Sequence, residues 1–187
     1  MSTIRGEAEQ VILGAGKWYM AEYTSGEINL DTVAAEANLI GYTQGGATIE
    51  YTPEIYEIED DIGMIHRTIM TKAAATMKTG LLTITVDSLS KVLSMGTVST
   101  ANGKTTLKLG GGRSGLKKYA VVFVYEDFDN PNHKIRVGMI AANTGTLSLA
   151  FVKDKESVPE ITFTAQSNGV DDTIIVFDEA TTTTPAG

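Results

Sequence analysis

The chain has 187 residues, 42% of them hydrophobic and 20% charged, which suffices for one substantial core and is ordinary for a folded globular domain. Fifteen basic against 23 acidic residues leave a formal net charge of −8 and a pI of about 4.7, which excludes nucleic-acid binding through a basic surface, because that requires Lys and Arg to displace phosphate counterions. The absence of cysteine rules out disulfides, thiolate metal sites and thiol nucleophiles.

The opening MSTIRGEAEQVIL lacks the basic start and long apolar core of a secretory signal, and no apolar run approaches the roughly 18 residues of a membrane span, so no membrane partner is expected. Residues 1–180 read as one domain with an N-terminal arm, and 181–187, in the aperiodic ATTTTPAG ending, as a flexible tail. In between, short strands are separated by Gly, Asn and Pro signals: KWYMAEY (17–23), ATIEY (47–51), LLTITV (81–86), YAVVFVYE (119–126), KIRVGMIAA (134–142), LSLAFV (147–152), ITFTA (161–165) and TIIVF (173–177). The expected class is all-β, a sandwich or barrel with little helix.

Two short helices are expected. DTVAAEAN (31–38) starts at Asp31 as N-cap. DSLSKVLSMG (87–96) has Asp87 or Ser88 as cap, an apolar stripe of Leu89, Val92 and Leu93, and Gly96 as its stop. In LLTITV, alternation places Leu82, Ile84 and Val86 on a core face and Thr83 and Thr85 on a polar face. YAVVFVY is apolar on both faces and calls for cover on both sides, from a helix or a neighbouring subunit.

The segment YTPEIYEIEDDIG (51–63) has five carboxylates and no base in an otherwise strand-like composition. Its alternation slips at Ile55 and Tyr56, which predicts a bulge there or a break at Pro53. Between the second helix and the next strand, Asn102-Gly103 signals a hairpin with polar flanks. Lys104, Lys108, Arg113, Lys117 and Lys118 form a basic cluster around it, suited to docking on an acidic surface of another copy.

No catalytic or metal motif emerges. The carboxylates of 50–61 fit no EF-hand register, and His66 and His133, read as surface residues, form no HxxxH pair. GAGK (14–17) and GGGRSG (110–115) lack the residues that complete a phosphate loop. No enzyme, cofactor or metal is expected.

The succession LIGYTQGGATIEYTPEIYEIEDDIGMI (39–65), LLTITVDSLSKVLSMG (81–96) and ITFTAQSNGVDDTIIVFDE (161–179) resembles the major tail tube proteins of long-tailed bacteriophages. The resemblance implies a β-sandwich of two packed sheets with one short helix. It further implies rings of six copies whose sheets join into a ring-shaped barrel, rings that stack around a tape-measure protein, and adjoining terminator and tail-tip proteins. DNA then passes through without specific binding. The location implied is the virion tail, with assembly in the host cytoplasm.

On that reading some of Glu50, Glu54, Glu57 and Glu59, with Thr83 and Thr85, line a lumen that does not hold a polyanion. The hairpin residues Thr100, Asn102, Gly103, Lys104, Lys108 and Arg113, with the N-terminal residues, make ring-to-ring contacts. Rival readings are a carbohydrate-binding or adhesive module using Trp18, Tyr19 and Tyr23 as a sugar platform, with core packing the favoured role of Trp18, and, last, a hydrolase using the acidic strand.

Overall fold

The computed structural model describes residues 16–59, 62, 64, 66–82, 85–94, 96–110, 117–126, 133–149, 153, 158–170 and 175–181. The N-terminal arm, GAGK up to Ala15, Thr83, Ile84, Arg113 and the tail beyond 181 lie outside them. The fold is all-β. In chain order the elements are β1 (Gly16–Glu22), α1 (Leu30–Val33), a 3₁₀ turn (Glu36–Asn38), β2 (Leu39–Glu59), β3 (His66–Leu81), α2 (Val86–Val92), β4 (Thr97–Ala101), β5 (Lys104–Lys108), β6 (Tyr119–Glu126), β7 (His133–Asn143), β8 (Glu160–Ala165) and β9 (Val176–Thr181).

The main sheet runs β6-β1-β2-β3-β8-β7-β9, and β6 also pairs with β7, so six antiparallel strands close on themselves with β9 as an addition alongside β7. Closure leaves one enclosed core to which all six strands contribute: Trp18, Ile40, Met77, Leu81, Val121, Phe123, Met139, Ile161 and Phe163 all lie in it. Trp18 sits at its centre, with ring centroids 5.6 Å from both Phe123 and Phe163. β4 and β5 form a separate two-stranded sheet packed on α2.

The apolar strand β6 is buried on both faces, as its sequence requires, and its second cover comes from its own chain. Tyr119, Val121, Phe123 and Tyr125 enter the main core, whereas Ala120, Val122 and Val124 pack with Tyr19, Leu30 and Val33. Gly138 on β7 admits this layer, because a Cβ there would lie 2.3 Å from Leu30 Cδ2. Helix α1 therefore removes the need for a neighbouring subunit at this place.

Several expectations are corrected. LLTITV is not one strand: β3 ends at Leu81, Leu82 and Val86 are exposed, and Val86 opens α2. Thr85 is the N-cap of that helix. Its Oγ1 accepts from the Ser88 N–H at 3.1 Å, and Ser88 Oγ accepts from the Thr85 N–H at 2.9 Å, a reciprocal capping box.

Asp87 is therefore not the cap; it lies in the first turn, 3.7 Å from Lys91. Nor does Gly96 stop the helix. Leu93 is its C-cap, and Ser94 takes the left-handed position (φ 55°), held by accepting hydrogen bonds from the Asn143 and Lys117 N–H groups. Gly96 (φ 101°) lets the hairpin approach, since a Cβ would lie 2.9 Å from Leu107 and Leu109. The first helix is capped by Asn29, whose Oδ1 accepts from the Thr32 N–H, and not by Asp31. Residues 147–149 of the expected LSLAFV strand are not extended into the sheet, and the last strand starts at Val176.

Candidate functional site

β2 is 21 residues long and β3 is 16, far longer than the strands beside them. β1 pairs with β2 only over Leu39–Tyr42, and β8 pairs with β3 only over Thr76–Gly80. From Tyr51 to Glu59 the ladder continues against His66–Ala75 with no third strand among the described residues. At about 3.4 Å per residue this makes a two-stranded arm roughly 30 Å long.

The arm begins past a bulge in which Gly45 and Gly46 (φ 80° and 78°) are the extra residues between the pairs Gln44–Gly80 and Ala47–Thr79. Thr79 Oγ1 donates to the Gly46 carbonyl at 3.1 Å, fixing the bulge at the domain's rim. A second register shift lies between Glu54 and Ile55, where the sequence predicts one. The extra residue is on the other strand: Thr71 has no opposite number, and its hydroxyl donates to the Glu54 carbonyl at 3.3 Å. β2 therefore keeps its alternation, and Tyr56 and Ile58 do not return to the inner face.

Two faces result. The face continuous with the core starts at half-buried Ile49 and carries Tyr51, Pro53 and Ile55 with Ala73 and Met70, then Glu57 and Glu59 opposite Thr68 and His66. Tyr51 Oη donates to Met70 Sδ at 3.7 Å along it. The opposite face carries Glu50, Thr52 and Glu54 against Thr76, Ala74 and Lys72, then Tyr56 and Ile58 against Ile69 and Arg67. Tyr51, Ile55, Tyr56, Ile58, Ile69 and Met70 are all exposed, Ile55, Tyr56 and Met70 at 59% each. Apolar residues thus stand uncovered on both sides of one ribbon.

The acidic stretch is not an acidic wall by itself. Glu50 accepts from Lys78 Nζ at 3.0 Å and from Thr76 Oγ1 at 3.1 Å, and these hydrogen bonds, the lysine's first, hold its carboxyl below the usual value. Lys72 stands across from Glu54, and Arg67 across from Ile58. The lumen candidates do not share a face: Glu50 and Glu54 lie on one side, Glu57 and Glu59 on the other, and Thr85 is a helix cap away from both.

The second candidate region is the β4–β5 hairpin. Asn102 and Gly103 (φ 52° and 71°) form its two-residue turn, and Thr100 and Thr105 hydroxyls meet at 3.2 Å. Its tip, including Lys104, and Lys108 further along β5 are exposed. Its base is better anchored than its polar sequence predicts, because the cross-strand pair Val98–Leu107 is half-buried. Lys117 is engaged by Glu22 at 3.6 Å, outside the hairpin proper.

Other candidates resolve into structural roles. Trp18 and Tyr19 are buried, and the Tyr23 hydroxyl donates to the Gly26 and Asn168 carbonyls, so these residues form no sugar platform. His66 is exposed, whereas His133 is buried rather than superficial, with Nε2 2.7 Å from Glu179 Oε1. On the opposite face of β9, Arg136 bridges Asp31 and Asp178, so a hydrogen bond on one side and ion pairs on the other tie the last strand to β7.

A cleft of about 310 Å³ between β1, β6, α2 and β4 is lined by Glu22, Asp87, Lys91 and Lys117, whose charges are matched in pairs. Among the described residues no three His, Asp or Glu side chains are placed to hold a metal, and no helix is long and apolar enough to cross a membrane. No protein-family model matches the chain, and no curated protein matches it.

Proposed function

We propose that the chain is the repeating subunit of a self-assembled tube, a major tail tube protein of the long-tailed bacteriophage kind, with rings of six copies stacked into the conduit for DNA. The observation that carries this reading is the arm, roughly 30 Å of two-stranded sheet on which no further strand lies among the described residues and whose large apolar side chains are exposed. An isolated two-stranded ribbon is marginal in water. Apolar patches on both of its faces mark contact surfaces, and its open edges invite further strands. A ring supplies a neighbour on either side, and so covers both.

In this reading the lumen takes the face with Glu50 and Glu54, where Glu50 holds Lys78 in an ion pair and Lys72 stands opposite Glu54 on the same ribbon. Each copy adds a formal charge of −8, and the resulting field is confined to about 8–10 Å from the wall at near-physiological salt. The exposed tip of the β4–β5 hairpin serves ring-to-ring contact. The tape-measure, terminator and tail-tip proteins are the further partners. Negative-stain electron microscopy of the purified full chain tests the reading: rings or tubes support it, and monodisperse single copies at every concentration overturn it.

A further inference from the structure

We infer that the arm of one copy lies on the Tyr42–Leu82 patch of a second copy, so that assembly is head-to-tail, a contact that rests on the self-assembly reading above. Tyr42 and Leu82 are each 48% exposed. They are neighbours, the Leu82 N–H donating to the Tyr42 carbonyl at 3.0 Å. The adjacent pair Thr43–Leu81 is buried, so by alternation Tyr42 and Leu82 stand on the outer surface, at the root of the same two strands whose far ends form the arm.

Charge selects which arm face meets this patch. Lys17 lies directly across from Tyr42, and Lys17 and Lys134 both bind Glu126, at 3.2 and 3.0 Å, so two ammonium groups share one carboxylate beside the patch. The arm face bearing Tyr51, Ile55 and Met70 continues into Glu57 and Glu59, with no Lys or Arg on that side of the arm ladder. Apolar groups can therefore meet apolar groups while the two carboxylates reach the lysine side of the patch, by Tyr42, and stay clear of Glu160, which stands opposite Gly80 on the Leu82 side. The other arm face carries Lys72 and Arg67 and is disfavoured there.

A chain cannot make this contact with itself, because patch and arm lie on opposite surfaces of the same ribbon, separated along it. Two different patches that complete each other between copies propagate head-to-tail into a closed ring or an open filament, and a wild type that stops at a two-fold dimer by exchanging arms reciprocally would overturn the head-to-tail arrangement.

The test uses two full-length variants, an arm variant (Ile55→Asp with Met70→Asp) and a patch variant (Tyr42→Asp with Leu82→Asp), each checked for folding by thermal unfolding. Each alone is expected to stay monomeric by light scattering after size exclusion. Mixed in equal amounts they are expected to form one-to-one dimers and nothing larger, since the mixture holds one sound arm and one sound patch per pair. As a milder pair, Lys17→Glu and Glu57→Lys should each raise the concentration needed for assembly about tenfold, and the double variant should restore it.

A patch variant that assembles as the wild type does, or a mixture that stays monomeric, refutes the contact while leaving the tube reading in place. Homodimers of the patch variant alone would mean arm-to-arm pairing and refute it too. A wild type that never assembles defeats the tube reading itself.

Discussion

Removing apolar groups from the core and from the arm should have opposite effects on stability and assembly. Phe163 is fully buried and stacked on Trp18, so Phe163→Ala should cost about 3–5 kcal/mol. At about 2–4 °C per kcal/mol for a chain of this size, that lowers the melting temperature by roughly 6–20 °C. Ile55 and Met70 are each 59% exposed, leaving about two-fifths of each covered within its own chain. With about 1.5–3 kcal/mol for full burial, Ile55→Ser with Met70→Ser removes at most about 1 kcal/mol per residue.

That loss falls on a ribbon that opens locally, so the global midpoint of the dilute monomer should move by no more than about 2 °C. The assay is circular dichroism melting at a concentration where each variant is monomeric, with sedimentation velocity at higher concentration to follow assembly. Phe163→Ala should melt early, and the arm variant should melt normally and not assemble. An arm variant that melts as early as Phe163→Ala would mean that the arm packs on its own domain, and the reasoning would fail.

Three further outcomes are expected. Thr85→Ala should destabilise the fold by about 1 kcal/mol in urea titration, whereas Asp87→Ala should lose only about 0.3–0.5 kcal/mol, because Thr85 satisfies an end N–H of α2 and Asp87 only pairs with Lys91 on the surface. Hydrogen bonding from Lys134, and then from Lys17 against the opposing effect of burial, holds the Glu126 carboxyl below its ordinary value of 4.5. Its contribution, about 0.5 kcal/mol after solvent screening, is present above that pH and lost as the pH falls through the lower folded value; a pH series of wild type and Glu126→Gln should show the gap closing on the acid side. Lys104→Glu with Lys108→Glu should leave rings that stack poorly, scored by tube length in electron micrographs, and full-length tubes would remove the hairpin from ring contact.

Strands β6, β7 and β8 were legible because each holds a compact apolar run bounded by polar or turn residues, and they start and stop within a residue of those runs. Most of β3 was not, because RTIMTKAAATMKTG has a run of Ala with flanking Lys where a strand signal wants large branched or aromatic residues. Of those alanines only Ala75 is buried, where the ribbon joins the domain, while Lys78 pairs with Glu50 and Lys72 stands across from Glu54. Missing β3 made the acidic strand look unopposed.

The slip at Ile55 and Tyr56 correctly located the register shift, but one strand's sequence cannot say which strand carries the extra residue. Only the pairing places it at Thr71, and with it the apolar residues on both faces. Thr85 was hidden because the strand-like alternation of LLTITV runs on past Leu81, where β3 ends, up to Val86, where α2 begins.

Hydrogen exchange of the 66–75 amides in dilute monomer and in assembled material tests most directly whether other copies complete the arm. One side of β3 there has no strand partner among the described residues, so outward amides should exchange within seconds in the monomer and become protected by at least about a hundredfold on assembly. Amides that are equally protected in the monomer, or equally open in the assembly, would contradict the account.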